Sequence, residues 1–343
     1  MLPAVTEVTA DLPLLSSSMP VGRLTIETVR GTDSPAFEFD DAWLGRFPRL
    51  RLSADLQPVP GRQFASGGLF GCLRDQIPDR WGRRVLRARK ASVTGVISPA
   101  LPGDLECLFA GDDFTRLGAL RLTADGAPVG AGAVSDLPSV ETVPRIARAV
   151  RAFEEADAAG KVPPAEALEL LDGSGAFMGG ARPKRCVRGS EGEILLAKFP
   201  SVTDDGFDVS LWELWAHRMA ARCGILTAPS SAVRCDGGHV FLMRRFDRTA
   251  TGGRIHFASA MTLLGLADGD GAATGHGYGE IADFIAEHSP AAEENLRELV
   301  RRVAFSILIG NADDHFRNHG FLLGGFDGVP GWTLSPVYDI NPT

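Results

Sequence analysis

Apolar and polar residues alternate between positions 21 and 57, as in Val21-Gly22-Arg23-Leu24-Thr25-Ile26 and Phe37-Glu38-Phe39, a period that predicts short, half-buried strands. From 68 to 90 the spacing turns helical, with a break at Pro78. Strand character resumes over 116–122, and the Gly- and Pro-rich run 124–138 reads as a linker. A helix is predicted over 142–159, where Ile146, Val150 and Phe153 recur three or four apart and Gly160 is the stop. Residues 173–200 read as a Gly-rich loop flanked by strand-like runs, ending in Ile194-Leu195-Leu196-Ala197-Lys198-Phe199. A second helix over 208–223 carries Trp212, Trp215 and Met219 on one stripe and stops at Gly224. Residues 240–246 read as a strand, and a long helix over 292–309 places Leu296, Val300, Val303 and Ile307 on one face. The tail 320–343 reads as strands and turns.

Composition narrows the class. Hydrophobic residues make up 44% and charged residues 23% of the 343-residue chain, the balance of an ordinary soluble protein long enough for two lobes or domains. No apolar run approaches the roughly 20 residues of a spanning helix. Residues 1–20 contain Glu7 and Asp11 and lack the basic start and apolar core of a signal peptide. The net charge of −8 argues against nucleic-acid binding across the chain's own surface and leaves DNA contact to a basic partner. The five cysteines, Cys72, Cys107, Cys186, Cys223 and Cys235, are scattered and form no CxxC pair, which suits a reducing cytoplasm.

Four constellations in the second half could carry chemistry. The glycines of Gly173-Ser174-Gly175-Ala176-Phe177-Met178-Gly179-Gly180-Ala181-Arg182-Pro183-Lys184 would let a backbone approach phosphate oxygens, with Lys184 adding charge. Taken alone this run favours a simple hairpin turn, and Arg185 stands where GxxxxGK[ST] needs a hydroxyl. Lys198 interrupts an apolar strand, and Glu213 lies 15 residues on, in the next helix. Such a pair holds the α/β-phosphates in protein kinases, and two unrelated surface charges fit equally well. The densest cluster is Gly310-Asn311-Ala312-Asp313-Asp314-His315-Phe316-Arg317-Asn318-His319, directly after an apolar helix. Asp313 and Asn318 have the five-residue spacing of the kinase loop HRDxxxxN, in which the Asp accepts the hydroxyl proton and the Asn holds magnesium. A capped, solvated loop and a metal site from Asp313, His315 and His319 are the alternatives, the latter leaving Asn311 and Asn318 without a role. Finally, Asp339 in Pro336-Val337-Tyr338-Asp339-Ile340 follows about 20 residues later, where a kinase needs a second magnesium carboxylate, although no DFG triplet is present. The four occur in the order a kinase requires.

From about residue 20 to 343 the chain resembles the HipA family of bacterial toxin kinases. The most specific block is Phe305-Ser306-Ile307-Leu308-Ile309 running into Gly310–His319 and on to Gly320-Phe321. Tyr338-Asp339-Ile340-Asn341-Pro342, Met243-Arg244-Arg245-Phe246-Asp247-Arg248, and Glu213 with Gly224-Ile225 are also similar to family signatures. In the first third, Val21-Gly22-Arg23-Leu24, Trp43-Leu44, Pro78-Asp79-Arg80-Trp81-Gly82-Arg83 and Leu117-Gly118-Ala119-Leu120 look like the family's leading subdomain. The resemblance implies Asp313 as catalytic base, Asn318 and Asp339 as magnesium ligands, and Lys198 on the ATP phosphates oriented by Glu213. It further implies Gly179, Gly180, Ala181, Arg182, Pro183 and Lys184 as the phosphate loop, Arg244, Arg245 and Phe246 as the hinge against adenine, and His315 and Tyr338 lining the site. The family's best-known toxins are autophosphorylated on a loop serine; Phe177 stands at that position, and Ser174 is the nearest hydroxyl. Arg244 replaces a commonly acidic hinge residue. Family members continue with further helices, whereas this sequence stops four residues past Asp339, as expected either of a fragment of a longer chain or of a shortened, weaker kinase.

These readings lead to an α+β, two-lobed protein-kinase-like fold: a β-rich subdomain over 18–135, a nucleotide-binding N-lobe over 136–250 and a mostly helical C-lobe over 251–343. The expected activity is ATP- and Mg2+-dependent phosphorylation of a protein serine or threonine in the cytoplasm, away from membranes. The resemblance implies an aminoacyl-tRNA synthetase as substrate, a helix-turn-helix antitoxin of the HipB type as partner, and operator DNA reached mainly through it. The competing expectations are a catalytically inactive, antitoxin-bound corepressor and a metal-dependent hydrolase.

Overall fold

The alternation read over 21–57 forms strands only as far as Phe39; beyond it Asp40 caps a short helix, Asp41–Arg46, in place of a strand. The computed structural model describes all residues except 1–4, 13–16, 30–31, 66, 131–136, 172–181, 205, 250–251, 327–328 and 343. Strands β1 (Val5–Ala10), β2 (Met19–Val29), β3 (Thr32–Phe39), β4 (Arg62–Phe64), β5 (Leu120–Ala124) and β6 (Ala127–Pro128) form an antiparallel sheet in the order β4-β3-β2-β1-β5-β6. Gly22 is required where β2 meets β3, because a Cβ there would lie 2.2 Å from the Glu38 carbonyl oxygen. The inner face, with Val8, Leu24, Phe37 and Phe39, shares one core with Phe284, Leu299, Phe321 and Leu323. The leading sheet therefore sits directly on the last third of the chain, and each such side chain contributes about 1.5–3 kcal/mol by burial.

The second sheet is β7 (Lys184–Arg188), β8 (Ile194–Lys198), β9 (Ser230–Cys235) and β10 (Gly238–Arg244), ordered β7-β8-β10-β9. The period of two divides its residues. Val187, Ala197, Val240 and Leu242 pack on the helices Arg80–Thr94 and Val143–Ala158. The latter is the helix predicted over 142–159, with Ile146, Val150 and Phe153 buried as expected. Leu196, Phe241 and Met243 face the opposite way, toward Leu214 of the helix Val209–Arg222 and Tyr338. Helix Arg80–Thr94 lies before residue 135, yet its Trp81 and Val85 belong to the core of this second sheet. A third sheet joins β11 (His256–Ser259), β12 (Gly320–Phe326) and β13 (Val329–Leu334).

Two helical faces differ from the apolar periodicity. In Val209–Arg222, Trp212 and Trp215 are exposed and stack edge to face at 5.7 Å, while Glu213, Ala216, His217 and Ala220 turn inward. Small alanines permit close approach to Phe305 and Val337, and the buried Lys198 draws Glu213 in. In Ala292–Ile309, Val300 is 68%, Ile307 74% and Leu308 83% exposed. Leu296 and Val303 of the expected face do pack, partly buried, against the core, while the fully buried side carries Asn295, Glu298 and Arg302 beside Leu299 and Phe305. Those polar groups satisfy distant backbone: Asn295 Oδ1 accepts from Leu334 N–H at 2.7 Å, Glu298 Oε1 from Leu226 N–H at 2.9 Å, and Arg302 donates to the Ser335 carbonyl at 2.7 Å. Among the described residues no helix is long and apolar enough to cross a membrane. All five cysteines are free thiols, and Cys72, Cys107 and Cys186 are buried.

Candidate active site

Lys198 ends β8 on the face it shares with Leu196, and its ammonium is buried. Nζ lies 2.6 Å from Glu213 Oε1 and 2.8 Å from Asp339 Oδ1. Glu213 is positioned by its helix, which Asp208 caps by accepting from Leu211 N–H at 3.1 Å. Asp339 has a φ of +55, a left-handed conformation that aspartate tolerates better than most residues and that recurs at functional sites. Burial pushes the Lys198 ammonium down, but Asp339 and then Glu213 outweigh it and hold it above the ordinary lysine range. Burial raises Asp339, but Lys198 and then Lys184 bring its carboxyl below the usual value. Glu213 moves the other way: burial raises it, Lys198 opposes, and neighbouring Asp339 adds to the rise. With two carboxylates against it, the Lys198 ammonium stays charged.

The helix Ala292–Ile309 stops at Gly310, whose φ of +72 is a left-handed cap, and the chain turns into the polar cluster. Asp313 is exposed at that turn. Its carbonyl accepts from Asn318 Nδ2 at 2.9 Å, closing the five-residue loop. Asn318 Oδ1 is buried without a hydrogen-bond partner. That orphaned oxygen, with the Asp339 carboxylate, is the hard donor type magnesium takes, so these residues fit the ion. His315 is close enough for its charge to influence Asp339. The metal site imagined from Asp313, His315 and His319 does not assemble: among the described residues no group of three or more His, Cys, Asp or Glu could hold a metal. Instead His319 Nε2 lies 2.9 Å from Asp314 Oδ1, and Tyr278 donates to Asp314 Oδ2 at 2.7 Å. Despite burial, His319 and Tyr278 hold the Asp314 carboxyl down at about 2.

The remaining expected residues divide. Phe246 and Tyr338 come together with ring centroids 5.7 Å apart, beside Phe257. Arg245 turns its side chain away, into a buried network with Asp247, the Thr115 carbonyl and the Arg116 carbonyl. Arg244 is half-buried at the end of β10. Arg182 forms a two-bond pair with Asp204 at 2.8 and 2.6 Å. Lys184 is buried and pairs with Asp79 at 2.7 Å. Ser174, Phe177, Gly179, Gly180 and Ala181 lie outside the described residues. A cleft of about 680 Å³, within the size range of ligand sites, is bordered by Asp79, Arg80, Phe257, His315, Arg317 and Tyr338; of the expected site residues only His315 and Tyr338 line it. A groove of about 890 Å³ bordered by Arg46, Arg49 and Trp332 contains none of them.

Sequence reasoning gave no role to Asp79, Asp314 or Tyr278, although Asp79 and Asp314 lie within stretches it singled out. Asp79 had one local signal, an acid directly before a helix. The partners of Asp314 and Tyr278 had none.

Known proteins share parts of this sequence and this fold. Residues 176–343 match the family model described as HipA-like C-terminal domain. Over 333 residues the chain is 26% identical to a Sinorhizobium fredii protein named "Putative kinase Y4mE", covering 90% of this chain and 72% of that protein. The fold is similar, with a TM-score of 0.63, to HipA of a Shewanella oneidensis toxin–antitoxin system solved with HipB and operator DNA. The identity is 18%, over 94% of this chain and 74% of that one. The architecture is thus a mixed α+β kinase-like fold of the HipA type with an N-terminal β-sheet.

Proposed function

We propose, on the premise that residues 176–343 are a HipA-like C-terminal domain, that this chain is an ATP- and Mg2+-dependent serine/threonine protein kinase and the toxin of a toxin–antitoxin pair. One observation carries the reading: Lys198 Nζ is held between Glu213 and Asp339, 2.6 and 2.8 Å away, the arrangement that phosphoryl transfer uses to fix a lysine on nucleotide phosphates.

Lys198 binds the phosphate oxygens and Glu213 keeps its ammonium in place. Asn318 Oδ1 and Asp339 would hold Mg2+, which would supply neutralising charge to the phosphates. Asp313, exposed two residues before the cleft-lining His315, takes the proton of the attacking hydroxyl. Phe246 and Tyr338 offer an aromatic wall for adenine next to the hinge segment Arg244–Phe246. Catalysis on this account is positioning and charge stabilisation.

The partner is a small helix-turn-helix antitoxin of the HipB type, with operator DNA reached through it. The Shewanella complex and the net charge of −8 support that division of labour. The expected substrate is a component of translation such as an aminoacyl-tRNA synthetase. Free cysteines suit the cytoplasm. Subdomain boundaries near 135 and 250 remain part of this proposal.

Transfer of labelled γ-phosphate by the wild type and by Asp313→Ala tests the reading. Strong labelling by the wild type and loss in Asp313→Ala is expected. Equal labelling removes Asp313 as the base, and no labelling by either favours an inactive, antitoxin-bound corepressor. Autophosphorylation at Ser174 is read by mass spectrometry after incubation with ATP; an unmodified Ser174 in an active enzyme removes that site.

A further inference from the structure

β7 and β8 pair so that Lys184 lies directly opposite Lys198. Opposed residues of an antiparallel pair share a face, with Cβ atoms about 5 Å apart, where like charges repel. Both lysines are buried. Two ammonium groups side by side in a dry interior persist only if acids reach them from outside the sheet. Lys198 has Glu213 and Asp339. Lys184 has Asp79, whose Oδ2 lies 2.7 Å from Nζ, with the side chains 2% and 7% exposed.

Asp79 precedes Lys184 by 105 residues. It caps the helix Arg80–Thr94, its Oδ1 accepting from Gly82 N–H at 3.0 Å. A backbone amide thus fixes one oxygen and the Lys184 ammonium the other. The helix is itself locked on the nucleotide-binding sheet, where Trp81 packs with Phe153 and Val187. Asp79 also borders the cleft that contains His315 and Tyr338.

Resting on the kinase reading above, we propose that Asp79 is a positioning residue of the nucleotide site: it holds Lys184 beside Lys198 as a second cation for the nucleotide phosphates. The first third of the chain thereby completes a site whose other residues come from the second half. A gate, in which nucleotide displaces Asp79, is the other use of such a pair. Separating buried opposite charges is strongly unfavourable. A clamp is therefore what this geometry builds.

The test is an equilibrium titration of the full chain with MgATP, together with kcat and KM for transfer. Asp79→Asn keeps a helix-capping acceptor and removes the charge. Its Kd and KM for MgATP are expected to rise roughly ten- to hundredfold, the range of a lost charge-assisted hydrogen bond, with kcat changed less. Lys184→Met has a similar effect, and adding Asp79→Asn to it weakens binding further by no more than about twofold, because Asp79 acts through Lys184. Unchanged or tighter binding by Asp79→Asn, or losses that multiply in the double variant, overturns the inference while leaving the kinase reading intact. A wild type that binds no MgATP overturns both. Should Asp79→Asn not fold, Asp79→Glu displaces the carboxylate by one methylene at constant charge; weakened affinity is then expected, and wild-type affinity overturns the proposal.

Discussion

Lys198 and Asp339 are separated by 141 residues in sequence and by 2.8 Å between Nζ and Oδ1. The pair joins a strand of the second sheet to the segment that follows the last strand. Asp339 reaches it from a left-handed backbone conformation, φ +55. Asp339→Asn keeps a side chain that tolerates this conformation and removes the charge. It is expected to fold and to lower phosphate transfer on the order of a hundredfold, the size of a lost electrostatic contact to a developing charge. Asp339→Ala adds about 1 kcal/mol of backbone strain to the same loss. Transfer assays paired with thermal unfolding separate the two effects.

Acid should destabilise the protein through a histidine beneath this site. His217 is one helical turn beyond Glu213, its ring 5.1 Å from that of Phe241, with neither ring nitrogen hydrogen-bonded. Burial, reinforced by the charge of Lys198, pushes its imidazole down from 6.5 to about 3. The unfolded chain takes up a proton below about pH 6.5 while the folded one does not. Stability from the neutral ring is therefore full above that pH and declines as pH falls toward about 3. One proton corresponds to a slope of about 1.4 kcal/mol per pH unit. Urea titrations between about pH 7 and pH 4 should give a shallower slope for His217→Phe; identical slopes would contradict the assignment.

The catalytic loop is expected to depend on Tyr278. Its hydroxyl donates to Asp314 Oδ2 at 2.7 Å, and Asp314 is the acid that anchors the loop through His319. Tyr278→Phe removes one hydrogen bond to a charged group, a loss of about 1.5 kcal/mol. Chemical denaturation measures that loss, and kcat is expected to fall more than MgATP affinity because Asp313, not the nucleotide contacts, is displaced.

Much of the fold is legible locally. The helix Val143–Ala158 repeats apolar residues at one spacing and stops at a glycine, and the turn after Gly310 follows an uninterrupted helix. The inward face of Ala292–Ile309 is not legible that way. Apolar periodicity selects Val300 and Ile307, yet Asn295, Glu298 and Arg302 occupy the interior because each satisfies a backbone group far along the chain. Lys198, Glu213, Asp313, Asn318 and Asp339 are suggested by order and spacing. The opposition of Lys184 to Lys198, and the supply of Asp79 from the leading segment, depend on strand register and on a contact across 105 residues, which no local period encodes.

That helix face is itself testable. Leu308 is 83% and Phe305 7% exposed. Leu308→Ser is expected to change the stability of the chain by no more than about 0.5 kcal/mol, whereas Phe305→Ala should cost about 3–5 kcal/mol through a cavity beside Ile225 and Val337. Equal costs in urea unfolding would place Leu308 in the interior, contrary to its exposure.

The most direct measurement for the whole account is a crystal structure of the full chain with magnesium and a non-hydrolysable ATP analogue. The account predicts phosphate oxygens on Lys198 Nζ, the metal on Asn318 Oδ1 and Asp339, and the γ-phosphate facing Asp313. A nucleotide bound elsewhere, or an analogue held with Lys198 and Asp339 out of reach of its phosphates, would contradict it.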